Sequence, residues 1–138
     1  MERIVVGVDG SPTAEQAAQE AARLANDVGA TIHLVTATKR SSSQVVRGGG
    51  ESWSINDVDR SSEMLRALAG TLGTSAKVTC SVLDGEPAKA IVAEAERVDA
   101  DLIVIGNKRV NGVARVLGAV SLDIVRHAPC SVYIAKTT

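Results

Sequence analysis

The chain has 138 residues, a formal net charge of −1 and two aromatic residues, one Trp and one Tyr. This length is enough for one domain with a buried core, and the balanced charge argues against nucleic-acid and membrane-surface partners. The scarcity of aromatic rings also argues against recognition of single-stranded nucleic acid by base stacking. Because no apolar run approaches the length of a membrane span and no signal sequence is visible, we expect a cytoplasmic protein.

The N-terminal part of the chain predicts a strand, a helix and a second strand. The first strand is expected at residues 3–8, which contain a β-branched apolar run. Ser11 and Pro12 are typical of an N-cap and a first helical residue, and alanines then recur at helical spacing as far as Gly29, a natural helix stop. The second strand is expected at residues 31–36.

A segment without periodicity comes next. Residues 39–55 are rich in Ser and Gly and include three consecutive glycines, so we expect a mobile loop within the single domain of residues 1–138. Asn56 is expected to cap a second helix that ends at Gly73.

The remaining part of the chain repeats the alternation of strand and helix. Strands are expected at residues 76–83, 102–105 and 131–136, and helices at residues 87–98 and 120–126. Five strands that alternate with four helices predict a doubly wound α/β domain with right-handed crossovers.

The stretch from Gly106 to Ser121 carries the strongest chemical signal. It follows the apolar strand at 102–105, breaks at glycines and returns to a helical pattern. This order is typical of phosphate sites, because glycines let the backbone approach an anion and the helix N-terminus offers free N–H groups. The loop contains three cations, Lys108, Arg109 and Arg115. Since lone Gly-rich loops are weak motifs, a surface loop that only turns the chain is an equally good interpretation.

Residues of catalytic or metal-binding type are not grouped along the chain. Cys80 and Cys130 lack metal-type spacing, and we expect both to be reduced, buried or half-buried side chains. His33 and His127 have no carboxylate or cysteine partner at metal or triad spacing, and His127 is expected to interact with the last carbonyls of its helix. No nucleophile–base pair is visible, so the sequence predicts no catalytic residue, no metal site and no enzyme.

Several segments together resemble the universal stress protein family. They are IVVGVDGS at residues 4–11, ADLIVIGN at 100–107, LGAVS at 117–121 and VRHAPCSV at 125–132. The resemblance runs from end to end of the chain and implies a five-stranded parallel sheet in the order 3-2-1-4-5. A ligand crevice is then expected where the strand order reverses, beyond the carboxyl ends of the first and fourth strands.

Many members of that family bind ATP there through a glycine, two residues, a second glycine, nine residues, and a glycine followed by Ser or Thr. This chain matches the first glycine at Gly106 but has Arg109 in the second position, and only eight residues separate Arg109 from Gly118. Ala119 then lacks the expected hydroxyl, although Ser121 retains one. Arg109 could contact phosphate through its charge, or it could fill an empty site.

The resemblance therefore implies a small dimeric stress-response protein that binds an adenine nucleotide, ATP or AMP, with cyclic AMP as a further candidate and Mg²⁺ allowed beside the nucleotide. The resemblance also allows slow ATP hydrolysis or autophosphorylation. The predicted nucleotide-binding residues are Gly7, Val8, Asp9, Thr36, Gly106, Arg109, Gly118, Ala119, Val120 and Ser121. Asp9 is alternatively a brace of its own turn. The alternative function is a protein interaction module of the same fold without nucleotide.

The last strand predicts how copies of the chain assemble. It alternates in character from Ser131 to Lys136, and no sixth strand follows to cover its edge. We expect this edge to pair with a second copy and form a homodimer, as the resemblance also implies.

Overall fold

The computed structural model of the protein describes residues 1–38, 53–107 and 118–137, with the backbone alone for residues 53–56. The elements in chain order are β1 (Arg3–Gly7), α1 (Pro12–Val28), β2 (Thr31–Thr38), α2 (Trp53–Thr71), β3 (Val78–Asp84), α3 (Pro87–Arg97), β4 (Leu102–Gly106), α4 (Ala119–His127) and β5 (Ser131–Ala135). The strands form one parallel sheet in the order β3-β2-β1-β4-β5, which confirms the predicted fold class and strand order.

The central strand β1 determines where the strand order reverses. Val5 of β1 pairs with His33 of β2 on one side and with Ile103 of β4 on the other. The chain leaves β1 for β2 in one direction and reaches β4 in the opposite direction, so the connections diverge beyond the ends of β1 and β4. A crevice follows at that point.

Helix α1 begins and ends as the sequence predicts. The Ser11 side chain accepts a hydrogen bond of 3.2 Å from the Ala14 N–H, and Pro12 occupies the first helical turn. At the other end Gly29 adopts φ 74°, a left-handed conformation that favours glycine, and its N–H donates to the Ala25 carbonyl. The alanine face between these ends is buried, which lets α1 lie close to the sheet.

Two apolar layers cover the two faces of the sheet. Helices α1 and α2 pack on one face, where Leu65 and Leu68 join the alanines of α1. Helices α3 and α4 pack on the other face, where Ile91 and Ile124 meet β-branched residues of the strands. Both faces are buried, as expected for a parallel sheet whose strands are almost continuously apolar.

The structure corrects one boundary by three residues. Helix α2 begins at Trp53 and not at Asn56, which lies inside it, so the predicted loop at residues 39–55 is too long at its C-terminal end. No Gly or Pro separates Trp53 from Asn56, and the helix therefore continues past the residue that we expected to cap it. The rest of that loop, with its predicted mobility, lies outside the described residues.

The other boundaries shift by one or two residues. Strand β1 ends at Gly7, one residue before the predicted end, although the Val8 N–H still donates to the Val35 carbonyl. Strand β2 extends two residues further than predicted, because its pairing with β3 continues to Thr38. Helix α4 begins at Ala119, since Gly118 is its N-cap.

Candidate functional site

A cavity of about 290 Å³ lies where the strand order reverses, at the carboxyl ends of β1 and β4. Its walls come from the ends of β1, β2 and β4 and from the first turns of α1, α3 and α4. The fold therefore places a cavity at the predicted crevice.

The end of β1 forms one rim of this cavity through a tightly braced turn. The Asp9 carboxylate accepts a hydrogen bond of 3.0 Å from the Ser11 N–H, and Gly10 adopts φ 83° between them. Asp9 thus has the bracing role that the sequence left open, and it also lines the cavity. Ser11 in turn caps α1, so this short segment fixes the start of the helix against the strand.

Two glycines set how closely the walls of the cavity approach. A Cβ on Gly7 would lie 2.7 Å from the Ile91 Cδ1 atom of α3. A Cβ on Gly106 would lie 3.1 Å from the Thr13 carbonyl oxygen in α1. Gly106 is therefore needed for the contact between β4 and α1, a packing reason that adds to the phosphate approach expected from the sequence.

The N-terminus of α4 closes the opposite side. Gly118 is the N-cap, in an extended conformation with φ −68° and ψ 165°, and it makes no side-chain cap hydrogen bond. No acidic residue occurs in the first turn. Val120 and Ser121 of that turn line the cavity, so the positive end of the helix dipole lies beside it.

The family model described as the universal stress protein family matches residues 1–136. The chain belongs to the universal stress protein family. A universal stress protein relative in Staphylococcus saprophyticus is 35% identical over 140 residues, which cover 97% of this chain and 83% of the relative.

Two solved structures of universal stress proteins are similar over almost the whole chain. One is a universal stress protein in complex with cAMP, with a TM-score of 0.77 and 26% identity over 99% of this chain and 98% of that one. The other is a universal stress protein from Archaeoglobus fulgidus in complex with dAMP, with a TM-score of 0.66 and 27% identity over 97% of each chain.

Most of the residues predicted for the site of this universal stress protein come together. The predicted residues that line the cavity are Gly7, Val8, Asp9, Thr36, Gly106, Val120 and Ser121. Gly118 and Ala119 begin α4 but are not part of the cavity wall. Arg109 lies outside the described residues, and so do the alternative roles that we considered for it.

Sequence reasoning missed the wall formed by α3. Pro87 and Ile91 line the cavity with Ala37, beside the ends of β2 and β3. The sequence contained a signal for this wall, because Pro87 begins α3 and only two residues separate it from the end of β3. The first turn of α3 therefore lies at the carboxyl edge of the sheet.

A second polar group, also missed, lies under α3. His33 Nδ1 and Thr79 Oγ1 are 2.7 Å apart on neighbouring strands, and Arg97 donates two hydrogen bonds of 2.7 Å to the buried Glu94. Burial lowers the pKa of His33, although the negative charge of Glu94 opposes that shift. The hydrogen bond from Arg97 lowers the pKa of Glu94. The available signal was Glu94, a carboxylate on the apolar face of the helix predicted at residues 87–98.

The remaining histidine and the two cysteines that the sequence analysis considered are His127, Cys80 and Cys130. His127 Nδ1 lies 2.9 Å from the Asp123 carbonyl oxygen, as expected for a histidine at a helix end. Cys130 is half-buried, but Cys80 is exposed, because β3 is an edge strand, and the prediction was wrong there. Partial desolvation of the sulfur raises the pKa of both thiols, including that of the largely exposed Cys80, which disfavours the reactive thiolate.

Two further kinds of site are absent from the described residues. Among the described residues, no group of three or more His, Cys, Asp or Glu side chains could hold a metal ion. None of the helices in this part of the chain has the length and apolar character that a membrane crossing requires.

Proposed function

We propose that this universal stress protein binds an adenine nucleotide in the cavity, with a phosphate at the N-terminus of α4. The observation that carries this proposal is that a helix start without a side-chain cap lies beside a cavity at the reversal of strand order. An anion is the ligand that free helix N–H groups favour. The similar structures in complex with cAMP and dAMP support the choice of an adenine nucleotide.

The strand order gives the proposed ligand a direction. Neighbouring strands lie about 4.8 Å apart, so the ends of β2 and β4 are separated by about 10 Å with β1 between them. A phosphate at Val120 and Ser121 then leaves the nucleoside to extend past Asp9 toward β2. The base would lie beside Thr36 and the apolar wall of α3, because that end of the cavity is lined by Ala37, Pro87 and Ile91.

The proposed activity is binding and not turnover. The Asp9 carboxylate already accepts the Ser11 N–H, and the polar group of His33 and Glu94 does not line the cavity. Mg²⁺ would accompany a polyphosphate and not occupy a metal site of its own, since the described residues offer no metal-binding group.

We also propose that the protein is a homodimer formed through β5. This strand pairs with β4 on one side only, and Tyr133 on it is exposed. Leu122 and Val125 on the adjacent helix α4 are exposed as well. Antiparallel pairing of two copies of β5 would satisfy the open edge and bury these apolar side chains.

Calorimetric titration with AMP, ATP and cyclic AMP tests the nucleotide proposal. Ser121→Ala removes a hydroxyl from the cavity wall and should weaken binding about fivefold, the equivalent of about 1 kcal/mol. Ser62→Ala is the matched control, because Ser62 lies within α2 and does not line the cavity. If none of the three nucleotides binds to the wild-type protein, the proposal is wrong and the interaction module without nucleotide is favoured.

A further inference from the structure

A half-buried histidine lies between the sheet and α3, outside the cavity. His33 is on the same face of β2 as Val35, two residues further along, and Val35 belongs to the apolar layer on the α3 face of the sheet. Helix α3 packs against β2 on this face. Glu94, which is 7% exposed, is on the buried side of α3 with Ile91 and Ala95. The imidazole and the carboxylate therefore share the interface between α3 and the sheet.

One nitrogen of this imidazole is enclosed without a partner. Nδ1 of His33 is 2.7 Å from the hydroxyl oxygen of Thr79 on the neighbouring strand β3. Nε2 is fully enclosed and makes no hydrogen bond with the described part of the chain. The two carboxylate oxygens of Glu94 each already accept a hydrogen bond of 2.7 Å from Arg97. Protonation of the ring would therefore place a positive charge where Nε2 has no acceptor, which is costly in an enclosed position.

The charged groups around His33 act in both directions on its pKa. Burial is the largest influence and lowers the pKa, while the negative charge of Glu94 on α3 raises it. Three positive charges lower it further, and they come from β1, from α3 and from the residue before β3: Arg3, Arg97 and Lys77. The neutral imidazole is therefore the form that fits beneath α3, and the imidazolium favours arrangements in which water reaches the ring.

The helix that covers His33 also forms a wall of the cavity. Pro87 and Ile91 of α3 line the cavity, and a Cβ on Gly7 of β1 would lie 2.7 Å from Ile91 Cδ1. Ile91 and Glu94 are three residues apart on a helix of 11 residues, so they are neighbours on one face of it. A movement of α3 away from His33 would therefore change the wall of the cavity as well.

We propose that protonation of His33 weakens nucleotide binding by loosening α3 from the sheet, an inference that rests on the proposed nucleotide site. The nucleotide favours the arrangement in which Pro87 and Ile91 complete the cavity. The imidazolium favours an arrangement in which α3 uncovers the ring. Because the nucleotide and the proton favour different arrangements, each weakens the binding of the other by the same factor. We therefore expect the affinity to fall as the pH falls below 6.5, the ordinary pKa of histidine.

Calorimetric titration at pH 7.5 and 5.5 tests this coupling, at a temperature where circular dichroism shows each protein to be folded. The probe is whichever of AMP, ATP and cyclic AMP binds the wild type most tightly at pH 7.5. His33→Gln removes the titrating group, and His127→Gln is the matched control, because His127 is exposed at the end of α4. On acidification the wild type and His127→Gln should lose about fivefold more affinity than His33→Gln. Titration of the nucleotide's own phosphate cancels, since all proteins are compared with the same nucleotide at the same pH.

An NMR titration of the His33 ring protons measures the reciprocal effect in the wild type and needs no variant. The pKa of His33 should be lower in the presence of the saturating nucleotide than in its absence. Equal losses of affinity in the wild type and His33→Gln, or a pKa of His33 that the nucleotide does not lower, would overturn this inference alone. If none of the three nucleotides binds to the wild type, the proposed function and the inference are both wrong.

Discussion

Glu94 and Arg97, three residues apart on α3, are joined by two hydrogen bonds of 2.7 Å, and the carboxylate of this pair is buried against the sheet while the guanidinium is exposed. The pair stands beside His33 of β2, which itself bonds Thr79. The α3 face of the sheet thus holds a buried, ionised carboxylate and a half-buried imidazole, neither of which lines the cavity.

Because the Glu94 carboxylate is buried, we expect the loss of its partner to destabilise the protein more than the loss of an exposed ion pair. Arg97→Ala leaves the buried carboxylate of Glu94 without its donors and should lower the free energy of unfolding more than the loss of an exposed ion pair does. Arg23→Ala is the control, because Arg23 forms an exposed pair with Glu20 at 3.4 Å and the same spacing. That change should cost less than about 0.5 kcal/mol in urea denaturation. Similar costs for both variants would contradict the prediction.

Stability should fall on mild acidification because of His33. Burial lowers the pKa of His33 below 6.5 in the folded protein, so below that pH the unfolded chain takes up a proton that the folded protein resists. The contribution of neutral His33 to the free energy of unfolding is complete above pH 6.5 and is lost as the pH falls through the pKa of the folded protein. The lowered pKa of Glu94 adds a further loss of stability below about pH 4.5. Lys77, Arg3 and Arg97 also disfavour the imidazolium.

Urea denaturation at pH 7.5, 6.5 and 5.5 measures this dependence. His33→Gln should flatten it in that range, because glutamine does not titrate. His127→Gln serves as the control, since His127 is exposed at the end of α4. An unchanged slope in His33→Gln would contradict the assignment to His33.

Substitution of the glycines at the cavity by alanine should change the stability of the protein differently from substitution of a glycine in open space. Gly106→Ala brings a Cβ to 3.1 Å from a backbone oxygen, which cannot rotate away, so we expect a loss of about 1–2 kcal/mol in stability. Gly7→Ala brings its closest contact with the flexible end of Ile91, beside an ordinary contact with Ile105, and should be milder. We expect it to narrow the cavity and weaken nucleotide binding. Gly70→Ala, in open space within α2, should stabilise by about 0.5–1 kcal/mol. Thermal denaturation distinguishes this order from any other.

The proposed dimer predicts a solution mass of twice 14.3 kDa by light scattering. Val125→Lys places a charge at the proposed interface and should shift the protein to the monomer at micromolar concentration. Val28→Lys is matched in chemistry and exposure, but Val28 lies at the end of α1 and should leave the mass unchanged. A wild-type protein that stays monomeric at high concentration would refute the dimer.

Local signals in the sequence explain why most elements were predicted. Ser11, Pro12 and Gly29 act within one turn of their own helix, and the bounds of α1 follow from them alone. The strand order required the resemblance to a family, because pairing partners are far apart in sequence. His33 and Glu94 were not connected, since only the packing of α3 over β2 brings their charges together. The prediction that Asn56 caps α2 was wrong, because the preference of Asn for the N-cap is a local property and the helix already begins at Trp53.

The unfilled start of α4 has a consequence for how the ligand would stabilise the protein. The side chain that usually satisfies the first N–H groups of a helix is absent at Gly118, and no carboxylate stands in the first turn. A bound phosphate would occupy that place and complete the helix, so the nucleotide becomes part of the secondary structure that binds it. Amide hydrogen exchange at Val120 and Ser121 should then slow on addition of AMP, whereas exchange at the distant C-terminal turn of α1 stays as it was.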